Sequence, residues 1–503
     1  MKTKNSFFQR ILNGIERIGN KLPDPFLLFV LLAVAMLFVS LIFSLSGASV
    51  VHPGTGEEEP IKNLLSGKGL EFILTSMIEN FTGFAPLGLV LVMMLGIGLA
   101  EKVGLLDYAI RTTILKAPSA LLTYALVFIG IMGNLASDAA NVLIPPLAAL
   151  VFYKVGRHPL AGLAAGFAGA GAGFTANLAI AGTDALLAGI STESAAIVND
   201  SITVTPVDNW FFNIVSVFVL TFIGGLVTSR FVEPRLGKYE GEGVEQEDED
   251  ELPNANKGLI YAVLAFFVYV AIIFVSLIPN NSPLRGEEGA IIDSPFMDGI
   301  VPIIFGAFII IGITFGITVG KIKESKDVSA YMGEAMKDMT NFIVLVFAIA
   351  QFIAYFEWSN MGVWIAVNGA EFLESINFTG FGLIVGYIIF TAILNLFITS
   401  GSAKWAIEGP IFIPMFMQLG YHPAFTQVAY RVADSSMNIV TPLFPYMIIV
   451  LAFIQQYDKK AKLGTYISLM LPYSLAFLFT WIILLAIFYY TGLPYGPGVH
   501  TFL

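Results

Sequence analysis

Asn134-Leu-Ala-Ser-Asp-Ala-Ala-Asn141 and Thr399-Ser-Gly-Ser-Ala-Lys-Trp405 are polar clusters set inside apolar stretches that run over residues 120–156 and 381–421. In hydrocarbon every backbone N–H and C=O needs a partner, so a non-helical polar stretch survives there only where it is buried in protein or lines a watery cavity. Either side of each cluster is short of the roughly 20 apolar residues a full crossing needs. Both stretches therefore read as re-entrant hairpins with polar tips. At an offset of 264 positions, Ala139, Pro146, Phe152, Gly156, His158 and Pro159 fall on Ala403, Pro410, Phe416, Gly420, His422 and Pro423, and Val-Gly-Arg-His-Pro159 answers Leu-Gly-Tyr-His-Pro423.

The rest of the chain suits this reading. Of 503 residues 56% are hydrophobic and 13% charged, with a mean hydropathy of +0.79, which makes this a membrane protein of one integral domain. Cysteine is absent and the four histidines are scattered, so disulfide, thiolate-metal and redox chemistry drop out. The net charge of -11 is supplied in large part by the eight acidic residues between Glu240 and Glu251, a solvated loop, and no nucleic-acid partner is expected. Lys2, Lys4, Arg10, Arg17 and Lys21 precede a first apolar run too long for a signal-peptide core, which we read as an uncleaved helix.

Helices are expected near 25–47, 84–103, 159–190, 209–229, 259–278, 298–320, 341–357, 423–456 and 465–491. The fold class is an all-α polytopic membrane protein with nine transmembrane helices and two re-entrant hairpins in an inverted-repeat transporter architecture. Residues 1–24 form a cytoplasmic segment, 25–229 the first repeat, 230–258 an acidic cytoplasmic loop, 259–278 a linking helix, 298–491 the second repeat and 492–503 a periplasmic tail. Of the 26 Lys and Arg residues, Lys62, Lys68 and Arg285 fall outside, Lys404 and Arg431 at membrane depth, and the remaining 21 on the cytoplasmic side, as the positive-inside rule asks.

Two helices carry polar breaks, at Gly169-Ala-Gly-Ala-Gly-Phe-Thr-Ala-Asn177 and Asp434-Ser-Ser-Met-Asn-Ile-Val-Thr-Pro442. A broken helix exposes N–H groups at one new end and carbonyls at the other, suiting an anion and a cation, near the midplane where inverted repeats meet. Charges at membrane depth cost a few kcal/mol or more each and so mark function. Lys404 and Glu408, four apart, can neutralise each other, and Arg431 and Asp434, three apart, can do the same beside a break. Asp138, at the first tip, and Asp184, after the first break, have no local cation, which favours a bound Na+ or a transferable proton. Asn141, Asn177, Asn395, Asn438, Ser137, Ser400 and Ser402 offer the neutral oxygens Na+ prefers, or hydrogen bonds that hold the hairpins. Trp405 can stack on an aromatic solute or pack in the core. His158 and His422 read as turn or cap residues, with Pro159 and Pro423 opening helices. Ser400 and Lys404 one turn apart, or Asp184 with Asp434, could imitate an intramembrane peptidase, but no Gly-x-Ser-x-Gly is present. Repeated hairpins and broken helices favour alternating access over a channel.

Several longer motifs carry a resemblance: Arg17-Ile-Gly-Asn-Lys-Leu-Pro-Asp-Pro-Phe-Leu-Leu-Phe29, Phe81-Thr-Gly-Phe-Ala-Pro-Leu-Gly88, Gly173-Phe-Thr-Ala-Asn177, Val232-Glu-Pro-Arg-Leu-Gly237, Ser400-Gly-Ser-Ala-Lys-Trp405, Arg431-Val-Ala-Asp-Ser-Ser436 and Leu493-Pro-Tyr-Gly-Pro-Gly498. On these the chain resembles the AbgT family, the p-aminobenzoyl-glutamate transporters. The resemblance implies a homodimer in the bacterial inner membrane, with lipid around it, the N-terminus cytoplasmic and the C-terminus periplasmic. It implies functional roles for Asp184, Asn395, Ser402, Trp405, Pro423, Arg431, Asp434 and Pro442; Glu408 departs from the apolar residue expected. The implied activity is ion-coupled transport of p-aminobenzoyl-glutamate or a related aromatic carboxylate, or alternatively proton-driven export of sulfonamide-type antimetabolites. We expect substrate contacts from Ser402, Trp405, Pro423, Arg431, Pro442 and Asn177, and coupling of Na+ or H+ at Asp434, Asn395, Asp184, Asp138, Asn141 and Asn438, with Na+ between Asn395 and Asp434. No cofactor is expected.

Overall fold

The computed structural model describes residues 23–53, 56–115, 121–135, 140–241, 252–291 and 294–503. The acidic loop from 242 to 251 and the first tip at 136–139, with Ser137 and Asp138, lie outside them. The chain opens with α1 (Pro25–Leu45), a small antiparallel pair β1 (Ser49–Val51) and β2 (Glu58–Pro60), α2 (Gly67–Thr82) running into α3 (Ala85–Lys102), and α4 (Leu105–Leu115). Around the first tip stand α5 (Leu122–Met132) and α6 (Ala140–Lys154), and after a turn come α7 (Pro159–Ala172), an irregular stretch and α8 (Gly182–Ala196). Next is α9 (Trp210–Val227), which continues through a π turn to Leu236, and then α10 (Ala255–Leu277), α11 (Ile300–Thr318), α12 (Ser325–Asp338), α13 (Thr340–Trp358) and α14 (Met361–Ser375). The second unit repeats the first: α15 (Gly380–Leu394), a tip, α16 (Gly401–Gln418), a turn, α17 (Pro423–Met437), a break, α18 (Met447–Tyr457), and finally α19 (Leu463–Thr491).

Helix is found at all nine expected places. By length and composition, among the described residues, 7 helices can cross a membrane, or up to 8 if the pair α14 and α15, bent by 120°, is one span. The nine expected crossings included two broken helices whose halves, 11 to 15 residues each, are individually too short. The sequence reading did not anticipate α2, α4, α12 and α14. Their Lys, Asp and Glu residues interrupt the apolar run that marks a crossing while leaving a helical period intact.

Both breaks begin later than expected. Gly169 to Ala172 are helical, and the irregular stretch runs over 173–181; Asp434 to Met437 are helical, and the second break starts at Asn438. The glycines of α7 serve packing instead of disorder. A Cβ on Gly169 would sit 2.5 Å from the Val127 carbonyl oxygen, and one on Gly130 would sit 2.5 Å from that of Gly166. Small residues let α5 and α7 approach backbone to backbone, the usual basis of helix association in membranes. Every residue of α7 is buried.

The two turns are built alike. Gly156 and Gly420 take left-handed φ values of 74° and 86°, which a glycine adopts without strain. His158 and His422 then cap α7 and α17, each ring Nδ1 accepting a backbone N–H at 3.2 Å, from Leu160 and Ala424. Pro159 and Pro423 follow at the first helical position. The turns lie at opposite ends of α9. Arg157 donates to Glu233, past the C-terminal end of α9, at 2.8 Å, while Asn209, just before its first residue, donates to the Ala424 carbonyl at 2.9 Å. The repeats are thus inverted relative to one another, as the charge distribution requires. Two hydrophobic cores result: a large one through both repeats with α1, α9, α13 and α19, and a smaller one of α3, α10 and α11.

Candidate functional site

The second tip places its side chains by ordinary helix chemistry. Ser400 caps α16, its Oγ accepting the Ala403 N–H at 3.3 Å, and Tyr430 of α17 donates to the Gly401 carbonyl at 2.5 Å. With its start fixed, α16 points Lys404 at Asp434 of α17, Nζ to Oδ1, across 2.7 Å. The same ammonium donates to Asn395 Oδ1 at 2.5 Å, and the Asn395 amide reaches the Asp434 carbonyl at 2.8 Å and Asn438 Oδ1 at 3.1 Å. All are buried. Asn395 and Asp434 do come together, but the Lys404 ammonium holds the oxygens expected for Na+. A sodium ion fits there only if Lys404 withdraws, because two cations cannot share those oxygens.

The other pairings differ from the expected local ones. Arg431 faces Asp184 of the opposite repeat, Nη1 to Oδ1, at 2.7 Å, and Asp434 is paired with Lys404 instead. Distance alone defines the Arg431–Asp184 contact: Nη1 and Oδ1 are close without hydrogen-bond alignment, and Nε and Nη2 of Arg431 have no hydrogen-bond partner among the described residues either. Asp184 uses its second oxygen to accept the Ala181 N–H at 2.7 Å, which holds the first turn of α8. Glu408 accepts from Tyr387 and Thr391, at 2.8 and 2.6 Å, and forms no salt bridge with Lys404 among the described residues. Helical spacing favoured partners three or four positions away; in each case a neighbouring helix supplies a better-placed one.

A cavity of about 330 Å³ opens beside these pairs. It is walled by the start of α6, both breaks and the second tip: Asn141, Phe174, Thr183 and Leu187 from the first repeat, and Thr399 to Ser402, Asp434, Asn438, Phe444 and Tyr446 from the second. Asp434 is the one charged residue lining it among those described. Ser402, Asp434, Asn141 and Asn438 therefore stand where a solute would meet them. Trp405, Pro423, Arg431, Pro442, Asn177, Asp184 and Asn395 do not line it. Trp405 is fully buried behind the Leu187 wall, its ring 4.5 Å from that of Tyr430 and its Nε1 donating to Leu187 O and Ser191 Oγ. Asn177 is fully buried too, with neither side-chain polar atom partnered among the described residues. The aromatic surface that Trp405 was expected to give comes from Phe174, Phe444 and Tyr446, which the sequence reading missed. Phe174 and Phe444 sit in or beside breaks already marked as polar, and that position was the available signal.

A family model described as "AbgT putative transporter family" matches residues 10–503. The chain belongs to the AbgT family. It is 45% identical over 493 residues to the p-aminobenzoyl-glutamate transport protein of Escherichia coli strain K12, covering 98% of this chain and 97% of that one. Among solved structures this AbgT-family chain superposes on the YdaH transporter of Alcanivorax borkumensis with a TM-score of 0.90, at 38% identity, over 94% of this chain and all of that one. On Neisseria gonorrhoeae MtrF, described with a class of antimetabolite efflux pumps, the TM-score is 0.91 at 42% identity, over 97% of this chain and all of that one. The AbgT protein is a multi-pass membrane transporter for a small molecule, and the peptidase alternative is set aside by its membership in a transporter family.

Proposed function

We propose that the protein moves p-aminobenzoyl-glutamate, or a closely related aromatic carboxylate, across the bacterial inner membrane in exchange for the energy of a Na+ or H+ gradient. The observation that carries this reading is the cavity between the two repeats, where aromatic walls meet helix N–H groups and a buried ion pair. The ring of the solute lies between Phe174, Phe444 and Tyr446. Its carboxylates meet the first N–H groups of α16, at Gly401 and Ser402, which have no intrahelical partner and carry the positive end of the helix dipole. Arg431, whose Nε and Nη2 have no hydrogen-bond partner among the described residues, takes a carboxylate when the wall beside it moves. Trp405 and the broken-helix prolines Pro423 and Pro442 hold that wall in shape, and Asn177 supports the first break from behind it. Asp434 and Asn395 take the coupling ion once Lys404 releases them, with Asn141, Asn438 and Asp184 around it; Asp138 belongs to the first tip.

The exposed apolar flanks of α1, α10 and α11 support lipid, and a second copy of the chain, as their neighbours. The Lys and Arg distribution supports a cytoplasmic N-terminus and a periplasmic C-terminus. Export of sulfonamide-type antimetabolites is the second reading, supported by the likeness to MtrF over 97% of the chain. Purified protein in liposomes, given labelled p-aminobenzoyl-glutamate under an imposed sodium or proton gradient, tests the first reading. Accumulation that collapses with the gradient supports it. No accumulation under either gradient, with sulfonamide still expelled, replaces it with the second.

A further inference from the structure

The buried charges beside the cavity do not balance. Lys404 is one cation between two carboxylates, Asp434 and Glu408, and all three residues are 1% exposed or less. Asp434 takes the ammonium directly, so among the described residues Glu408 is left without an ion partner at membrane depth, where an unpaired charge costs a few kcal/mol or more. Its surroundings suit the neutral acid. Oε2 is bracketed by the hydroxyls of Tyr387 and Thr391, groups that donate to a carboxylate and accept from a carboxylic acid alike. Oε1 is buried with no hydrogen-bond partner among the described residues. The oxygen separations of 2.8 and 2.6 Å are hydrogen-bond lengths, which admit a proton between the atoms and leave no room for a metal ion.

The groups facing Glu408 are few. Lys404 lies one turn earlier on its own helix, Tyr387 on α15, and Tyr430 and Asp434 on α17. α8 and α14 also pack on α16. Of their acidic residues, Asp184 is engaged by Arg431, Glu193 accepts the Ala85 N–H, and Glu371 and Glu374 are exposed.

We infer that Glu408 stores one proton and surrenders it when Lys404 changes partner from Asp434 to Glu408. In the state described here Lys404 is bound to Asp434 and Glu408 is a neutral acid. When a cation enters at Asp434 and Asn395, the ammonium is displaced toward Glu408, four residues on along α16, where side chains of this spacing meet. The Glu408 O–H bond then breaks, the proton leaves to cavity water, and carboxylate and ammonium form the new pair; Lys404 stays protonated throughout. One cation enters and one proton departs, so the site stays electrically balanced. This deepens the transport reading above by giving its coupling step a second carboxyl.

Infrared spectroscopy of the purified full-length protein tests it without substrate. At neutral pH the wild type should show the C=O stretch of a protonated carboxylic acid that is lost in Glu408→Gln, a variant that retains the shape and hydrogen bonds of the neutral acid. The same band should be lost in Asp434→Asn, where Lys404 has only Glu408 to pair with. Should Glu408→Gln not fold, carboxyl-13C glutamate in the wild type must shift the band and labelled aspartate must not. A wild-type spectrum with no Glu408-dependent band overturns the proposal, and so does a band that survives in Asp434→Asn, which would make Glu408 an isolated acid with no link to Lys404. Failure of the substrate reading shows separately, as absence of p-aminobenzoyl-glutamate uptake by wild-type liposomes whatever the spectra give.

Discussion

At the 264-residue offset the helices α6 and α7 of the first repeat fall on α16 and α17 of the second, and their chemistry is opposite. Lys404 falls on Ala140, Glu408 on Ile144, Arg431 on Phe167 and Asp434 on Ala170. In the other direction, the glycines of α7 at 162, 166 and 169 fall on Thr426, Tyr430 and Ala433. One repeat has kept small and apolar residues so that its helices pack backbone to backbone; the other has placed four ionisable groups on the equivalent faces. Among the described residues the first repeat contributes one carboxylate to the buried ion pairs, Asp184, and it is turned toward the second repeat's arginine. The two repeats share a frame, and the charged chemistry is concentrated in one of them.

The sharpest way to break this contrast is at the charged positions. Asp434→Asn and Arg431→Ala should each lower liposome uptake more than about 100-fold, roughly 3 kcal/mol or more of lost function, whereas Phe167→Leu and Ala170→Ser at the matching first-repeat positions should leave it within a few-fold. The two charge variants should separate in thermal unfolding. Arg431→Ala strands Asp184 and should cost about 3–5 kcal/mol, while Arg431→Ala combined with Asp184→Ala should regain much of that stability and none of the transport. If the single and double variants melt together, the Arg431–Asp184 contact is not holding the repeats.

Packing should reverse the order. Gly169→Ala drives a methyl to within 2.5 Å of a backbone carbonyl and should cost about 3 kcal/mol, seen as a lower apparent melting temperature in detergent. Ala433→Gly, the mirror change in the second repeat, should cost about 1 kcal/mol, the usual helix penalty for glycine. Equal effects would mean that α7 does not depend on close approach.

The smallest expected difference is between the two capping histidines, which lie in turns outside the crossing helices. Burial, with His500 nearby, pushes His422 down to about 4 from the usual 6.5. Burial lowers His158 as well, with Glu233 opposing it. The folded protein holds His422 neutral while the unfolded chain takes up a proton near 6.5, so its contribution is intact above that pH and is lost as pH falls toward 4, by about 3 kcal/mol. His422→Asn, which keeps a cap acceptor, should flatten the fall of melting temperature between those pH values. His158→Asn should change it less, and an equal change would show that the two turns are equally buried.

Much of this architecture was legible in the sequence because membranes punish unsatisfied backbone so heavily. A polar cluster inside an apolar stretch marked the second tip, the first lying outside the described residues, and Gly-x-His-Pro marked both turns. The edges of the breaks were not legible: Gly169 and Gly171 look the same whether they disrupt a helix or allow a neighbour close, and only the facing Val127 and Ile439 tell the two apart. Nor were the ion pairs. Arg431 with Asp434 and Lys404 with Glu408 satisfied helical spacing, but Asp184 and Asp434 reach those cations from other helices, at distances that spacing along one chain cannot reveal. The cavity's aromatic lining was hidden for a related reason, since Trp405 drew attention as the large ring near a tip while Leu187 stands between it and the opening.

The tethers at the two ends of α9 have a mechanical meaning. From Trp210 to Leu236 this helix is 27 residues, a rod of about 40 Å. At one end Arg157 grips Glu233 bidentately; at the other Asn209 holds Ala424, and the C-terminal residues lace the turn from outside, His422 donating to Thr501 and Leu503 to Gly420. A rod pinned at both ends passes displacement along its length with little loss. Neither turn can shift along the axis of α9 without loading the other, so the starts of α7 and α17 are mechanically tied across the full length of the rod.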